Sequence, residues 1–212
     1  MSAGKKWTKK EIRRFADELS AVTVSVNIVV EAKQKILSLG QVEKLLRASK
    51  KVAVGDCECR TRVRGCDAPL DVCLYLDEAA KEQIKKGFGK EITLEQAIGT
   101  LKRTNEAGLV HLAFADKGKQ DTRYICSCCS CCCHCIVGMQ KYGFNDSLVS
   151  SEMIAVQNDD LCDDCGLCVE RCHFKARRMA NDHLVFDAKG CFGCGVCLTS
   201  CPQDAVSLEK RP

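Results

Sequence analysis

Two cysteine runs of one spacing, repeated near the end of the chain, constrain its fold more than any other feature. Cys162, Cys165, Cys168 and Cys172 are spaced C-x2-C-x2-C-x3-C. Cys191, Cys194, Cys197 and Cys201 repeat that spacing, and Pro202 follows. Thiolates are soft ligands that suit iron. Three of them in one tight loop can hold three corners of a metal–sulfur cube. That commits the segment to wrapping a cofactor rather than a large apolar core.

The chain has 212 residues, of which 19 are Cys. In a short secreted protein such density means a disulfide scaffold. Here the thiols lie in runs too tight for self-pairing, and their number is odd. Residues 1–10 are basic and lack the apolar core of a signal peptide. Metal binding in a reducing cytoplasm is the expectation, and the ease with which exposed thiols oxidise favours an anaerobe. The longest mostly apolar stretch, 22–30, is interrupted by Thr23, Ser25 and Asn27. It falls far short of the ~20 residues of a membrane span. The formal net charge is +4, and Lys5, Lys6, Lys9, Lys10, Arg13 and Arg14 gather at the start. A solvated helix face accounts for them better than a nucleic-acid arm, with a docking surface for an acidic redox partner between the two.

Hydrophobic periodicity predicts a helix from Lys9 to Leu19, a strand from Val22 to Val30, and a second helix from about Gln41 to Lys50. A short strand at Val52 to Val54 delivers the chain to Cys57. A helix from about Leu76 to Lys86 should stop at Gly87. Thr93 and Gln96 read as a capping box for a helix ending near Gly108. Leu109 to Ala115 and Thr122 to Ile125 flank the turn-forming Asp116-Lys117-Gly118-Lys119, a β-hairpin signal. Helix, helix, hairpin is the order of a winged-helix unit, by analogy. Gly138 to Ser151 reads as a linker or short helix. The expected fold class is α+β, with a Cys-rich module over 1–150 and a two-cluster unit over 151–212. Within that unit, strands at Met153 to Gln157, Leu184 to Asp187 and Val206 to Glu209 alternate with the cysteine loops as an internal repeat.

The C-terminal part, from about Met153, resembles bacterial two-cluster ferredoxins. The resemblance implies a [4Fe–4S] cluster on Cys162, Cys165, Cys168 and Cys201. It implies a second on Cys191, Cys194, Cys197 and Cys172. Gly166, Gly193 and Gly195 suit the tight turns such loops need. His173 departs from the family, which usually has Pro there, and reads first as a tolerated turn residue. Arg177 and Arg178 stand where the family is usually apolar. They are read either as tuning or docking charges or as a solvated face. Zinc is the competing ligand for these eight thiols, but structural zinc sites use two ligand pairs across a longer spacer.

Eleven cysteines remain: Cys57, Cys59, Cys66, Cys73 and the seven within Cys126–Cys135. Gly55-Asp56-Cys57-Glu58-Cys59-Arg60, Gly87-Phe88-Gly89-Lys90, Ala107-Gly108-Leu109-Val110-His111 and Ile125 to Cys133 together resemble an N-terminal module. It is found on iron–sulfur proteins of anaerobic bacteria and archaea, and no activity is implied by it. The expected metal ligands are Cys57, Cys59, Cys66, Cys73, Cys126, Cys128, Cys129, Cys131, Cys132 and Cys133. They are too many for one cubane, which takes four. Adjacent cysteines diverge in a strand and lie about 100° apart on a helix, so they suit two neighbouring metals. One or more further iron–sulfur clusters, a metallothionein-like zinc site and a dithiol relay all stay open.

The reading is an iron–sulfur electron carrier or relay subunit serving a low-potential redox enzyme through a redox partner. The sequence carries no dinucleotide fingerprint, P-loop or nucleophile elbow, so an accessory is expected before an independent enzyme. The second reading is a redox enzyme with an unusual N-terminal cluster fed by the ferredoxin unit. The third is a redox-sensing nucleic-acid binder. Against it, the helix from Thr93 to Glu106 offers only Lys102 and Arg103 against Glu95 and Glu106.

Overall fold

The computed structural model describes residues 4–24, 45–116, 122–144 and 148–212. The expected strand beyond Val24, the first residues of the helix expected from Gln41, and the hairpin turn at Lys117 to Lys119 lie outside them.

Helix α1 (Lys9–Glu18) leads into β1 (Leu19–Val24). A helical turn at 45–48 precedes β2 (Val52–Asp56), α2 (Glu58–Val63), β3 (Asp71–Leu76) and α3 (Asp77–Lys85). Then come β4 (Lys90–Glu91), α4 (Leu94–Glu106), β5 (Val110–Asp116), β6 (Tyr124–Cys128), α5 (His134–Tyr142) and β7 (Leu148–Val149). The described strands to this point form one seven-stranded sheet in the order β4-β2-β3-β6-β5-β1-β7. Its pairs are antiparallel except β1 with β7.

The hairpin β5–β6 forms as expected, but it is no wing. It occupies the middle of the sheet, because β6 also pairs with β3 through Leu74 and Ile125. A winged helix leaves its hairpin at the edge, so that analogy fails here. Gly138 to Tyr142 belongs to a helix that starts earlier, at His134. Thr93 caps α4 reciprocally with Gln96. Gly87 takes φ +77 just after α3. Leu46, Val52, Leu74, Leu76, Ala97, Leu101 and Ile125 form the apolar core on one side of the sheet.

The remaining residues carry two small sheets. Strands β8 (Met153–Gln157) and β11 (Val206–Lys210) pair antiparallel. Strands β9 (Arg177–Ala180) and β10 (His183–Phe186) form a hairpin. Only a short helix, α6 (Leu167–Glu170), and a 3-10 turn (Leu198–Ser200) lie between them. Here the apolar cluster is half cysteine: Cys168, Cys191 and Cys197 are buried with Ala155, Ala176 and Val206.

The two parts meet closely. Val196 is buried in one cluster with Val110, Leu112, Cys128, Cys133, Cys135 and Ile136, and Phe174, Phe192 and Cys194 pack against it. Phe174 and Phe192 stack with centroids 4.4 Å apart. Arg171 Nη1 donates to the Glu106 carbonyl at 3.1 Å across the junction. No described helix is long and apolar enough to cross a membrane.

Candidate metal centres

The nineteen cysteines fall into four groups, and no described cysteine is in a disulfide. Two groups lie in the C-terminal part. One cavity, of about 310 Å³ including its open mouth, is lined by Cys162, Cys165, Cys168 and Cys201. A second, of about 340 Å³, is lined by Cys172, Cys191, Cys194 and Cys197. Each therefore draws three sulfurs from one run and the last sulfur of the other. The folding reason is local. Gly166, Gly193 and Gly195 take φ of +76, +65 and +77, which turn the loops inward where a side-chain-bearing residue would be strained.

Backbone N–H groups point at these sulfurs. Gly193 N–H donates to Cys191 Sγ at 3.3 Å, and Ala205 N–H to Cys201 Sγ at 3.2 Å. Burial pushes the Cys197 thiol up to about 11, against the opposing charge of Arg177. Burial also raises Cys168, again opposed by Arg177. Arg177 is only 2% exposed. It lines the Cys191 cavity, and its Nη1 lies 3.9 Å from Cys168 Sγ of the other. Of the two arginines singled out in the sequence, Arg177 is thus buried between the thiol groups. Arg178 is exposed.

Thiol acceptors, apolar walls, inward N–H donors and a buried cation suit an anionic thiolate-bound cluster. When bound, such clusters supply reversible one-electron storage.

The third group is the largest. Cys59 and Cys73 lie beside Cys57, and Cys73 lies beside Cys126. Cys128, Cys135 and Cys59 lie around Cys133. Seven thiols are thereby strung together: Cys126, Cys73, Cys57, Cys59, Cys133, Cys128 and Cys135. Strand pairing β2–β3–β6 places Cys73 and Cys126 near Cys57, the N-cap of α2, while Cys133 caps α5. The hydrogen bonds from Cys59 and Cys73 pull Cys57 down to about 3. Those from Cys128, Cys135 and Cys59 hold Cys133 below the ordinary thiol range. His134 Nδ1 lies 3.2 Å from Cys59 Sγ, and its buried Nε2 has no hydrogen-bond partner. Cys135 was not among the expected ligands. Its signal was the continuation of the cysteine run onto the first turn of α5.

The fourth group is Cys66, Cys129, Cys131 and Cys132, whose sulfurs all lie within 4.8 Å of one another. Two of the three adjacent pairs, Cys128–Cys129 and Cys132–Cys133, are split between the array and the quartet, as expected for side chains that diverge along the backbone. Cys131 and Cys132 instead both join the quartet with sulfurs 3.7 Å apart, against the expectation that adjacent cysteines serve separate metals.

Arg60 stands between these last two groups and is 1% exposed. Its Nη2 donates to the Ser127 carbonyl at 2.8 Å and lies 3.9 Å from Cys129 Sγ. Its Nη1 donates to the Pro69 carbonyl. The charges of Cys57, Cys129 and Cys66 outweigh its burial and hold the guanidinium protonated. Arg62 faces outward instead, against Trp7 and Glu11.

His111 is buried, and its Nε2 bonds Thr104 Oγ1 at 2.8 Å. His173 is more than a turn residue: its ring bonds Gly108 and Ser130. Arg103, one of the two exposed cations of α4, makes a two-pronged pair with Asp71 at 2.9 and 3.0 Å. That ties the helix to β3 and takes a charge from any nucleic-acid surface.

Residues 161–205 match the family model of the 4Fe-4S dicluster domain. No curated protein matches the chain. The C-terminal segment is thus a ferredoxin-like iron–sulfur domain, and a cysteine-rich region capable of binding metal precedes it. An iron–sulfur electron-transfer role is what that domain supports.

Proposed function

We propose that this chain relays electrons between a redox partner at its dicluster end and a further iron–sulfur centre held by the seven-thiol array. The observation that carries the reading is the apolar cluster shared by the two parts: Cys128, Cys133 and Cys135 are buried in it, and Cys126 and Cys194 pack against it. A cavity-lining cysteine of the dicluster segment thereby abuts the array through Phe174, Phe192 and Val196, with no water-filled gap required.

The ligands assigned are Cys162, Cys165, Cys168 and Cys201 for one [4Fe–4S] cluster. For the other they are Cys191, Cys194, Cys197 and Cys172. Cys57, Cys59, Cys73, Cys126, Cys128, Cys133 and Cys135 hold the third centre, with His134 beside them. Seven donors in one connected, branched array exceed one cubane's need and fit a larger cluster. The chain's own residues set the direction. The Cys191 cavity is nearer the array and its thiols are more buried, whereas Cys165 of the other cavity is exposed. Around Cys165 stand exposed Leu161, Leu167 and Met179 with the acidic Asp159, Asp160 and Asp163. An apolar patch with an acidic rim suits a redox partner with a basic rim.

The test is iron and acid-labile sulfide per chain after anaerobic purification, with low-temperature EPR. More than eight irons, and a third spin system lost in Cys73→Ser, is the expected result. Eight irons and two spin systems would overturn the third centre. A second reading, catalysis at the array, is favoured by the unpartnered His134 Nε2 and the surplus of thiols. EPR of the third signal with candidate substrates separates the two, since a pure relay shows no perturbation.

A further inference from the structure

We propose that Cys66, Cys129, Cys131 and Cys132 bind a single zinc ion, separate from every iron–sulfur site. The spacing of the sulfurs carries the inference. Cys131 Sγ lies 3.4 Å from Cys129 Sγ and 3.7 Å from Cys132 Sγ, and Cys66 Sγ lies 3.7 Å from Cys129 Sγ. Four sulfurs around one ion at a bond length of about 2.3 Å sit about 3.8 Å apart, the edge of the tetrahedron. A cubane spreads its four thiolates wider, because each binds a different iron.

The protein supplies its own comparison. Among the described residues, the quartet is the one group of three or more potential ligands drawn within 4.8 Å of one another. The eight thiols of the dicluster segment stand around cavities instead.

The donor set is closed, as in structural zinc sites: four thiolates fill the tetrahedron and leave no position for water or substrate. The surroundings hold that geometry. Trp7 Nε1 donates to the Cys132 carbonyl at 2.8 Å, fixing the loop from the far end of the chain. A Cβ on Gly65 would come within 3.1 Å of Cys132 Sγ, so glycine lets the Cys66 turn approach. Four thiolates on a divalent ion leave two negative charges, and Arg60 Nη2 lies 3.9 Å from Cys129 Sγ to offset them. Arg60 Nε is buried without a partner, as expected of a cation placed for its field rather than for its full set of hydrogen bonds.

The ion would staple the loop after α2 to the loop between β6 and α5. This site shares no thiol with the proposed relay and does not depend on it.

The experiment is metal analysis of anaerobically purified protein with zinc K-edge absorption. One zinc per chain with four sulfurs at about 2.3 Å is expected. Cys131 is exposed, so Cys131→Ser should lose the zinc and keep its iron and sulfide. Cys73→Ser should keep the zinc and lose iron. On the wild-type chain, a chromogenic zinc chelator should remove one equivalent of zinc with iron and sulfide retained. Absence of zinc, or its replacement by iron on these thiols, overturns the proposal. So does a parallel fall of iron and sulfide in Cys131→Ser when the chelator releases no zinc from the wild type.

Discussion

The imidazole of His173 lies 2.7 Å from the carbonyl oxygen of Gly108, across the boundary between the dicluster segment and the large sheet. Its other nitrogen accepts from the Ser130 N–H at 3.3 Å. The partners assign the tautomer: Nε2 carries the hydrogen and Nδ1 is bare. Ser130 interrupts the cysteine run that serves two thiol groups, and His173 follows Cys172. One ring therefore fixes the relative position of three groups of thiols. Substituting His173→Pro, the residue usual in the family, should leave iron content unchanged. It should raise hydrogen exchange at the Ser130 amide and slow reduction of the array through the dicluster end. Exchange mass spectrometry and stopped-flow reduction check the two halves of that statement.

Arg177 should set the potential of the dicluster segment. A unit charge about 5 Å away at an effective dielectric of about 20 is worth about 3 kcal/mol. Arg177→Met removes that stabilisation of the reduced, more negative state. Potentials should move downward on the order of 100 mV. An EPR-monitored redox titration reads the shift, and an unchanged potential would show that the guanidinium is screened.

Gly193 has φ +65, and a Cβ there would come within 2.1 Å of the Met153 carbonyl oxygen and 2.4 Å of Ser151 Cβ. Backbone cannot yield by that amount. Gly193→Ala should break the Cys191 loop away from β8 and cost the protein about four irons. Iron and sulfide assays check it, with Gly99→Ala, where a Cβ meets open space, as the control.

His111 gives a pH dependence with a definite sign. Burial depresses it to about 4, below the ~6.5 of an unfolded chain. Between those values the unfolded state binds the extra proton, so stability falls as pH drops from about 6.5 to 4 and levels off below. The full effect is about 3 kcal/mol. Thr104 donates to the Leu101 carbonyl and accepts from Ser127, so its oxygen receives the His111 Nε2–H. Denaturant midpoints from pH 7 to 4 should slope less in His111→Gln than in the wild-type chain.

The dicluster segment was legible because its chemistry is local. Each loop places three thiols by spacing alone, and glycines at the turns accompany them. The capping box at Thr93 and the hairpin β5–β6 are likewise short-range signals. What escaped was long-range. The run Asp71 to Leu76 carries no alternation, so β3 was not foreseen, and without β3 the hairpin looked like an edge. The partition of eleven thiols depends on β3 lying beside β6, which brings Cys73 near Cys126. Backbone geometry accounted for the splitting of Cys128 from Cys129 and of Cys132 from Cys133, but not for Cys131 and Cys132 staying together, nor for which partner each would find. Arg177 and Arg60 share one difficulty: an arginine in sequence reads as surface, and only tertiary packing shows it buried between sulfurs.

Cys129, Cys131 and Cys132 of the proposed zinc site lie between Cys128 and Cys133 of the proposed iron–sulfur array, so six consecutive residues would serve both. A loop pinned by one ion has lost most of the entropy it would otherwise surrender to the second. Filling either site should therefore speed loading of the other, while each site, once filled, keeps its own metal when the other is lost.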